Sequence, residues 1–457
     1  MKRKILSGVL LGTMLIAVLA GCSGQSSGGS GSVEAGADAA GTTTGNQGEA
    51  AADGPVSITV MCGYAGEDPH GQYIYQYADA FMAEHPEVKI EVQAISTNDI
   101  YTKLAAMATT PGDVPTVFFT SADAVATLYD LGLTQDLNAF LSQETKDGFA
   151  NGVVDACILD DKMVYYPVAV QPQAVIYRKD RFAAAGLKIP VTWDEFVDCA
   201  KVLTVDNDQD GETDEWGFSM VGSNNSSGQS RFMSYLWSNG FEMVYQEAGS
   251  GEWQTDISAD PAFVGVFTKW TDMNTEGIVP TGITEVDYPT SANYFAMGYT
   301  SMFLTGPNAL GVTYASNPDL KGKLASFKVP GDYPGTMLGV EGYAVSSHAT
   351  DAQKQAAVDF LTFFTGHDKE MQFWQSSGKI PTTLAGQQAD YLAGEDYAGF
   401  LQQIEDGCRP TMAFAGVSGL KSALGNAYAS VFSEEKDGQE AVEGLVKAVD
   451  ELLEDYN

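Results

Sequence analysis

Three groups of residues in this sequence have the types and spacing to do chemistry. The first is the run Asp206-Asn207-Asp208-Gln209-Asp210-Gly211-Glu212, followed by Asp214 and Glu215. Acids at loop positions 1, 3 and 5 with glycine at 6 match the first half of an EF-hand loop, whose alternate oxygens converge on a hard cation. Position 12 is Gly217, which has no carboxylate. Asp214 and Glu215 at positions 9 and 10, with the Glu212 carbonyl at 7, are expected to replace it. The predicted cofactor is therefore a structural calcium ion. A solvated turn is the alternative, although clustered aspartates repel one another unless a cation neutralises them. The second group is Glu341, a lone acid in the glycine-rich, otherwise apolar stretch from Gly339 to Val345. The third is Tyr64, Ser121 and Asp123, each just beyond an apolar run; Asp123 could equally serve a helix N-terminus. Catalytic signatures are missing. The four histidines have no HExxH spacing, Gly416-Val417-Ser418-Gly419 is not a nucleophile elbow, and no phosphate loop occurs. The chain reads as a binding protein rather than an enzyme. A surface glycosidase is the enzymatic alternative, because acid pairs are abundant.

The elements that must position these residues follow from periodicity. Ser57 to Cys62 is an apolar strand, and Tyr73, Ile74, Tyr77, Phe81 and Met82 share one face of a helix that stops before Pro86. Val88, Ile90 and Val92 alternate as a second strand. Ile100, Leu104 and Met107 recur at helical spacing, and Thr116 to Phe119 is a third strand. This β-α-β-α-β order predicts a parallel sheet covered by helices, with ligands outside the C-terminal strand ends, where Tyr64 and Ser121 stand. Thr192 to Glu195 is a capping box. Ser301 to Leu304 and Leu324 to Val329 are later strands. Ala357, Phe360, Leu361 and Phe364 mark a helix ended by Gly366, and Val442 to Leu452 a final one. Trp237, Trp270 and Trp374 lie in helical patterns and are read as core.

The N-terminus carries an address. Lys2, Arg3 and Lys4 precede an apolar run, Ile5 to Leu19, which at about 1.5 Å per residue falls short of a ~30 Å bilayer core. It ends in Leu19-Ala20-Gly21-Cys22, so residues 1–21 read as a signal peptide. That string resembles the lipobox of bacterial lipoproteins, which implies lipid attachment at Cys22. Residues 22–54 are almost entirely Gly, Ser, Ala, Thr and acids, a disordered tether with a reach of about 30 Å. The body from Pro55 to Asn457 is long enough for two domains, and no later apolar stretch could span a membrane. Against 24 Lys and Arg stand 60 Asp and Glu, a net charge of −36, which argues against nucleic acid and against direct binding to anionic lipid. Cys62, Cys157, Cys199 and Cys408 have no CxxC spacing and are expected as buried small hydrophobes.

Several segments, in order, resemble the extracellular solute-binding proteins, the group that contains the maltose-binding protein. Met163 to Val170, continuing to Val175-Ile176-Tyr177-Arg178-Lys179-Asp180, is similar to that family's first crossover. Pro190 and Thr192 to Phe196 resemble the next helix start, and Phe295-Ala296-Met297-Gly298 with Ser301-Met302 a later helix and strand. Gly339 to Val345 resembles the return crossover and Gly378 to Thr382 the third. The resemblance implies an α/β, two-lobed fold of the periplasmic-binding-protein type, each lobe a mostly parallel sheet flanked by helices. Residues 55–170 and 340–378 would form one lobe, and 171–339 and 379–457 the other. It implies the lipid-anchored, extracytoplasmic lipoprotein of an ABC sugar transporter, working as a monomer with permease partners and touching the membrane only through its anchor.

It also implies ligand contacts. Tyr64, Ser121 and Asp123 fall where relatives place cleft residues. Gln171 stands where the maltose-binding protein grips sugar hydroxyls with a carboxylate, and Asn308 where that relative stacks a tryptophan, a departure that argues against maltodextrin itself. Glu341 lies in the return crossover, and Gln229 and Arg409 complete the candidate set. Amides, a hydroxyl, a carboxylate and a ring suit a neutral polyhydroxylated ligand. A peptide or polyamine binder, or an adhesin on the same fold, are the alternatives.

Overall fold

The computed structural model describes residues 54–63, 69–95, 97–122, 124–367, 372–409, 412 and 414–457. The expected signal peptide, Cys22, the tether up to Asp53, and the candidates Tyr64 and Asp123 lie outside the described residues. Val56–Cys62 and Val88–Ala94 pair in parallel, as do Val56–Cys62 and Val117–Ser121, with the helices Pro69–Glu84 and Thr97–Met107 between them in sequence. This is the β-α-β-α-β start that the periodicity predicts. The full first sheet runs Ile380–Pro381, Tyr166–Val170, Val340–Val345, Val117–Ser121, Val56–Cys62, Val88–Ala94. The second runs Leu324–Lys328, Ala174–Arg178, Thr300–Thr305, Trp216–Ser219.

Neither sheet is as uniformly parallel as expected. Val340–Val345 is antiparallel to both of its neighbours in the first sheet, and Ala174–Arg178 to both of its neighbours in the second. The reason is geometric. These strands arrive from the other lobe, so they enter at the cleft edge and run against strands that end there.

The third boundary also differs from expectation. Ile380–Pro381 pairs with Val170 and Ala169, the Thr382 hydroxyl donates to the Pro167 carbonyl at 3.2 Å, and Leu384 N donates to Gly148 O at 2.8 Å. Residues 380–384 therefore stay with the first sheet. The change of lobe comes later, where helix Glu395–Asp406 lies on Leu324–Lys328. Gly399 lets that helix in: a Cβ there would sit 2.4 Å from the Phe327 backbone.

Each sheet has its own apolar packing. Phe81, Phe118, Phe360 and Trp374 are buried around the first, and Phe196, Phe218, Phe232, Phe267 and Trp270 around the second. The predicted capping box forms, with Thr192 Oγ1 accepting from Glu195 N at 3.2 Å and Glu195 Oε2 from Thr192 N at 3.3 Å. Cys62, Cys157 and Cys199 are buried, and Cys408 is half-buried, its thiol pushed up to about 12 by burial.

Candidate functional site

The strands of the first sheet that end at its rim bring Phe119, Ser121 and, on the returning strand, Val340 and Glu341 to one edge of a cavity of about 860 Å³. The opposite wall is made by three helices of the second lobe. Ser226–Ser238 turns Ser226, Gln229, Ser230, Ser234 and Trp237 onto the cavity at helical spacing. Asn308–Ser316 contributes Asn308 and Val312, and Val417–Phe432 contributes Val417, Ser418, Lys421 and Ser422. First-turn residues of all three helices are among them. Between the lobes the crossings supply Gln171, Gln173, Thr336, Met337 and Gly339, and Ser376, Ser377 and Lys379 close the side.

The polar groups are organised. Glu341 accepts from Gln171 Nε2 on one carboxylate oxygen and from Lys379 Nζ on the other. Lys379 is buried and the Glu341 side chain is 22% exposed, so this is a partly desolvated ion pair with a neutral amide on its far side. Ser121 Oγ and the Tyr101 hydroxyl are 3.2 Å apart. Gln173 Nε2 donates to Ser230 Oγ at 2.7 Å, while its Oε1 is buried with no hydrogen-bond partner among the described residues. Asn308 Nδ2 donates to the Tyr288 hydroxyl at 3.1 Å. Beneath these, buried Arg231 donates to Leu304 O at 2.8 Å and Ser227 O at 2.9 Å and lies 5.0 Å over the Tyr288 ring. Burial lowers its pKa to about 10, so it stays protonated at neutral pH. A wall of hydroxyls and amides, one neutralised carboxylate and the Phe119 and Trp237 rings can exchange hydrogen bonds with a hydroxyl-rich ligand while packing its apolar face.

The family model described as bacterial extracellular solute-binding protein matches residues 64–371. The chain belongs to that family. A diacetylchitobiose-binding protein of Streptomyces coelicolor is 26% identical over 394 residues, covering 84% of this chain and 83% of the relative. Among solved structures, an ABC-transporter solute-binding protein of Thermotoga lettingae bound with α-D-tagatose aligns with a TM-score of 0.73 at 18% identity, over 87% of this chain and 100% of that one. Maltose-bound MalE3 of T. maritima gives 0.71 at 20% identity, over 87% and 99%. These alignments place the fold with the two-lobed, maltose-binding-protein-like architecture.

In this extracellular solute-binding protein, Ser121, Gln171, Gln229, Asn308 and Glu341 all line one cavity, although their positions span nearly half the sequence. Arg409 does not line it. Its guanidinium is paired with Glu242 and stacks 5.3 Å over the Trp237 ring, because a half-buried cation takes the carboxylate within its reach. Trp237, expected as core, is 3% exposed yet forms part of the wall; Trp270 and Trp374 are buried core. Lys379 was missed, as were Ser226, Ser230 and Ser234, which flank the expected Gln229 on Ser226–Ser238. The serines' polar spacing on a helix otherwise rich in Phe, Met, Tyr and Leu was the available signal.

The acidic loop is ordered by its own backbone. Asp206 accepts from Gln209 N at 2.7 Å and Gly211 N at 2.9 Å, Asp210 from Glu212 N at 2.8 Å, and Asp214 from Asn207 N at 2.6 Å. Gly211, at φ +94°, makes the expected sharp turn. Asp206, Asp208 and Asp210 bring carboxylate oxygens within 4.8 Å of one another. Glu212 is not in that group. Glu215 turns away to Arg181 at 2.8 Å, since its backbone is bridged to Val205 ahead of the Trp216–Ser219 strand.

Proposed function

We propose that this protein captures an uncharged sugar or short oligosaccharide between its lobes and passes it to the permease of an ABC transporter. The observation that carries this reading is the cavity wall, rich in hydroxyl and amide groups from both lobes. The ligands of those relatives, diacetylchitobiose, tagatose and maltose, belong to the same chemical class. A polyamine or cationic peptide asks for unpaired carboxylates; among the described lining residues the one carboxylate already carries an ammonium. A glycosidase asks for a pair of carboxylates across the scissile bond. Calorimetric titration with maltose, N,N′-diacetylchitobiose, tagatose and spermidine tests the reading. Heat of binding from at least one sugar and none from spermidine is expected, and the reverse overturns it.

Two features of the chain complete the proposal. Cys22 is its lipid attachment point and the tether lets the body work above the membrane, a diacyl anchor being strong enough to hold where the polar tether is not. Cys22→Ser should then be shed into the medium still able to bind ligand; quantitative recovery with membranes would count against it. The loop of Asp206, Asp208 and Asp210, with Asp214 beside it, holds calcium in a structural role, supported by converging hard oxygens around a glycine turn.

A further inference from the structure

Lys379 sits at a junction. It lines a small second cavity together with Phe119, Val168, Phe364 and Trp374, its carbonyl accepts from the Tyr391 hydroxyl at 2.8 Å, and its ammonium ends on Glu341. The preceding Gly378, at φ +70°, approaches the second lobe so closely that a Cβ there would lie 2.5 Å from the Pro307 carbonyl oxygen. Glu341 stands at the start of the returning strand, and its other oxygen is held by Gln171 in the first crossing. One carboxylate thus ties together the two crossings and the edge-strand segment at the rim of the cavity.

We propose that Lys379 is a positioning residue: it fixes and neutralises the Glu341 carboxylate on the cavity wall, so that the cleft accepts an uncharged hydroxylated ligand and rejects a cationic one. A desolvated carboxylate without a counter-charge would attract an ammonium group in preference to a hydroxyl. With the ammonium supplied by the protein, the Glu341 carboxylate is held in one direction and meets a ligand hydroxyl as a neutralised acceptor. In its ligand arm the inference rests on the sugar reading; in its ligand-free arm it rests on the geometry alone.

The test compares the full chain, Lys379→Met, and Lys379→Met combined with Glu341→Gln. Without ligand, Lys379→Met should melt several degrees below the parent, because it strands a largely buried carboxylate. The double variant should regain most of that loss, since an amide needs no counter-charge. Absence of recovery overturns the inference, whether or not the parent binds any sugar. In titrations, Lys379→Met should lose about tenfold or more in affinity for the best-bound neutral sugar, maltose, N,N′-diacetylchitobiose or tagatose. Its preference for D-glucosamine over D-glucose should rise by about tenfold. A lysine that only filled space would weaken both sugars alike, so an unchanged ratio also overturns the inference. A parent protein that binds none of the sugars defeats the sugar reading, and the melting comparison still decides the linkage.

Discussion

Two acidic regions of this molecule solve the same electrostatic problem differently. At Glu341 a single carboxylate is drawn out of water and answered by an ammonium and an amide from elsewhere in the chain. In the Asp206–Asp214 loop several carboxylates stay largely exposed and are answered by backbone N–H groups of their own turn. The first arrangement uses residues brought together by the whole fold and so reports on the lobes' relation. The second is local, and any cation it holds acts on the second lobe's scaffold. An acid's meaning lies in what neutralises it.

Breaking the long-range pair should have the largest effect. Glu341→Ala takes the carboxylate from the buried Lys379 ammonium and should cost about 3–5 kcal/mol in a denaturation experiment, with sugar binding reduced well beyond tenfold. A cost below that of an ordinary surface substitution would mean the pair is not desolvated in solution. The local cluster comes next. Calcium at a hundred times its dissociation constant should stabilise the protein by about 2.7 kcal/mol, seen as a fall in melting temperature on chelation and its return with calcium. Magnesium should restore it poorly, since it demands tighter octahedral geometry. A melt indifferent to chelator would show that backbone donors suffice. Gln171→Ala removes only the neutral partner of Glu341, so a loss of about 1–3 kcal/mol in sugar affinity is expected by calorimetry, with the lobes still folded. Smallest should be Arg409→Ala, whose pairing with Glu242 lies behind Trp237. Its effect on affinity should stay near 1 kcal/mol or less; a loss matching Gln171→Ala would put Arg409 in contact with the ligand.

Much of the fold was legible because its signals are periodic. The strands Val56–Cys62, Val88–Ala94 and Val117–Ser121 alternate or run apolar, and the Thr192 cap announces its helix. Ile380–Pro381 was not legible: two residues have no period, and pairing with Tyr166–Val170 is decided by tertiary contact. The site divided along the same line. Ser121, Gln171 and Glu341 stand at strand ends or crossings, positions that topology makes special. Lys379 looked like any solvated lysine, because its burial is set by tertiary packing that no local pattern announces. Arg409 misled for the complementary reason, since its partner Glu242 lies well over a hundred positions away.

The way strands of the first sheet are shared out along the chain sets when it can fold. Its centre is built by Val340–Val345, inserted between Val117–Ser121 and Tyr166–Val170, and its edge by Ile380–Pro381. Until those residues have been synthesised, the N-terminal strands have no centre to close on. The second sheet, by contrast, draws all its strands from the continuous stretch Ala174–Lys328. Pairings of such long sequence separation form slowly, because loop closure must precede the contacts that reward it. The second sheet is therefore expected to form first, and the N-terminal strands to wait for their central partner until most of the chain has been made.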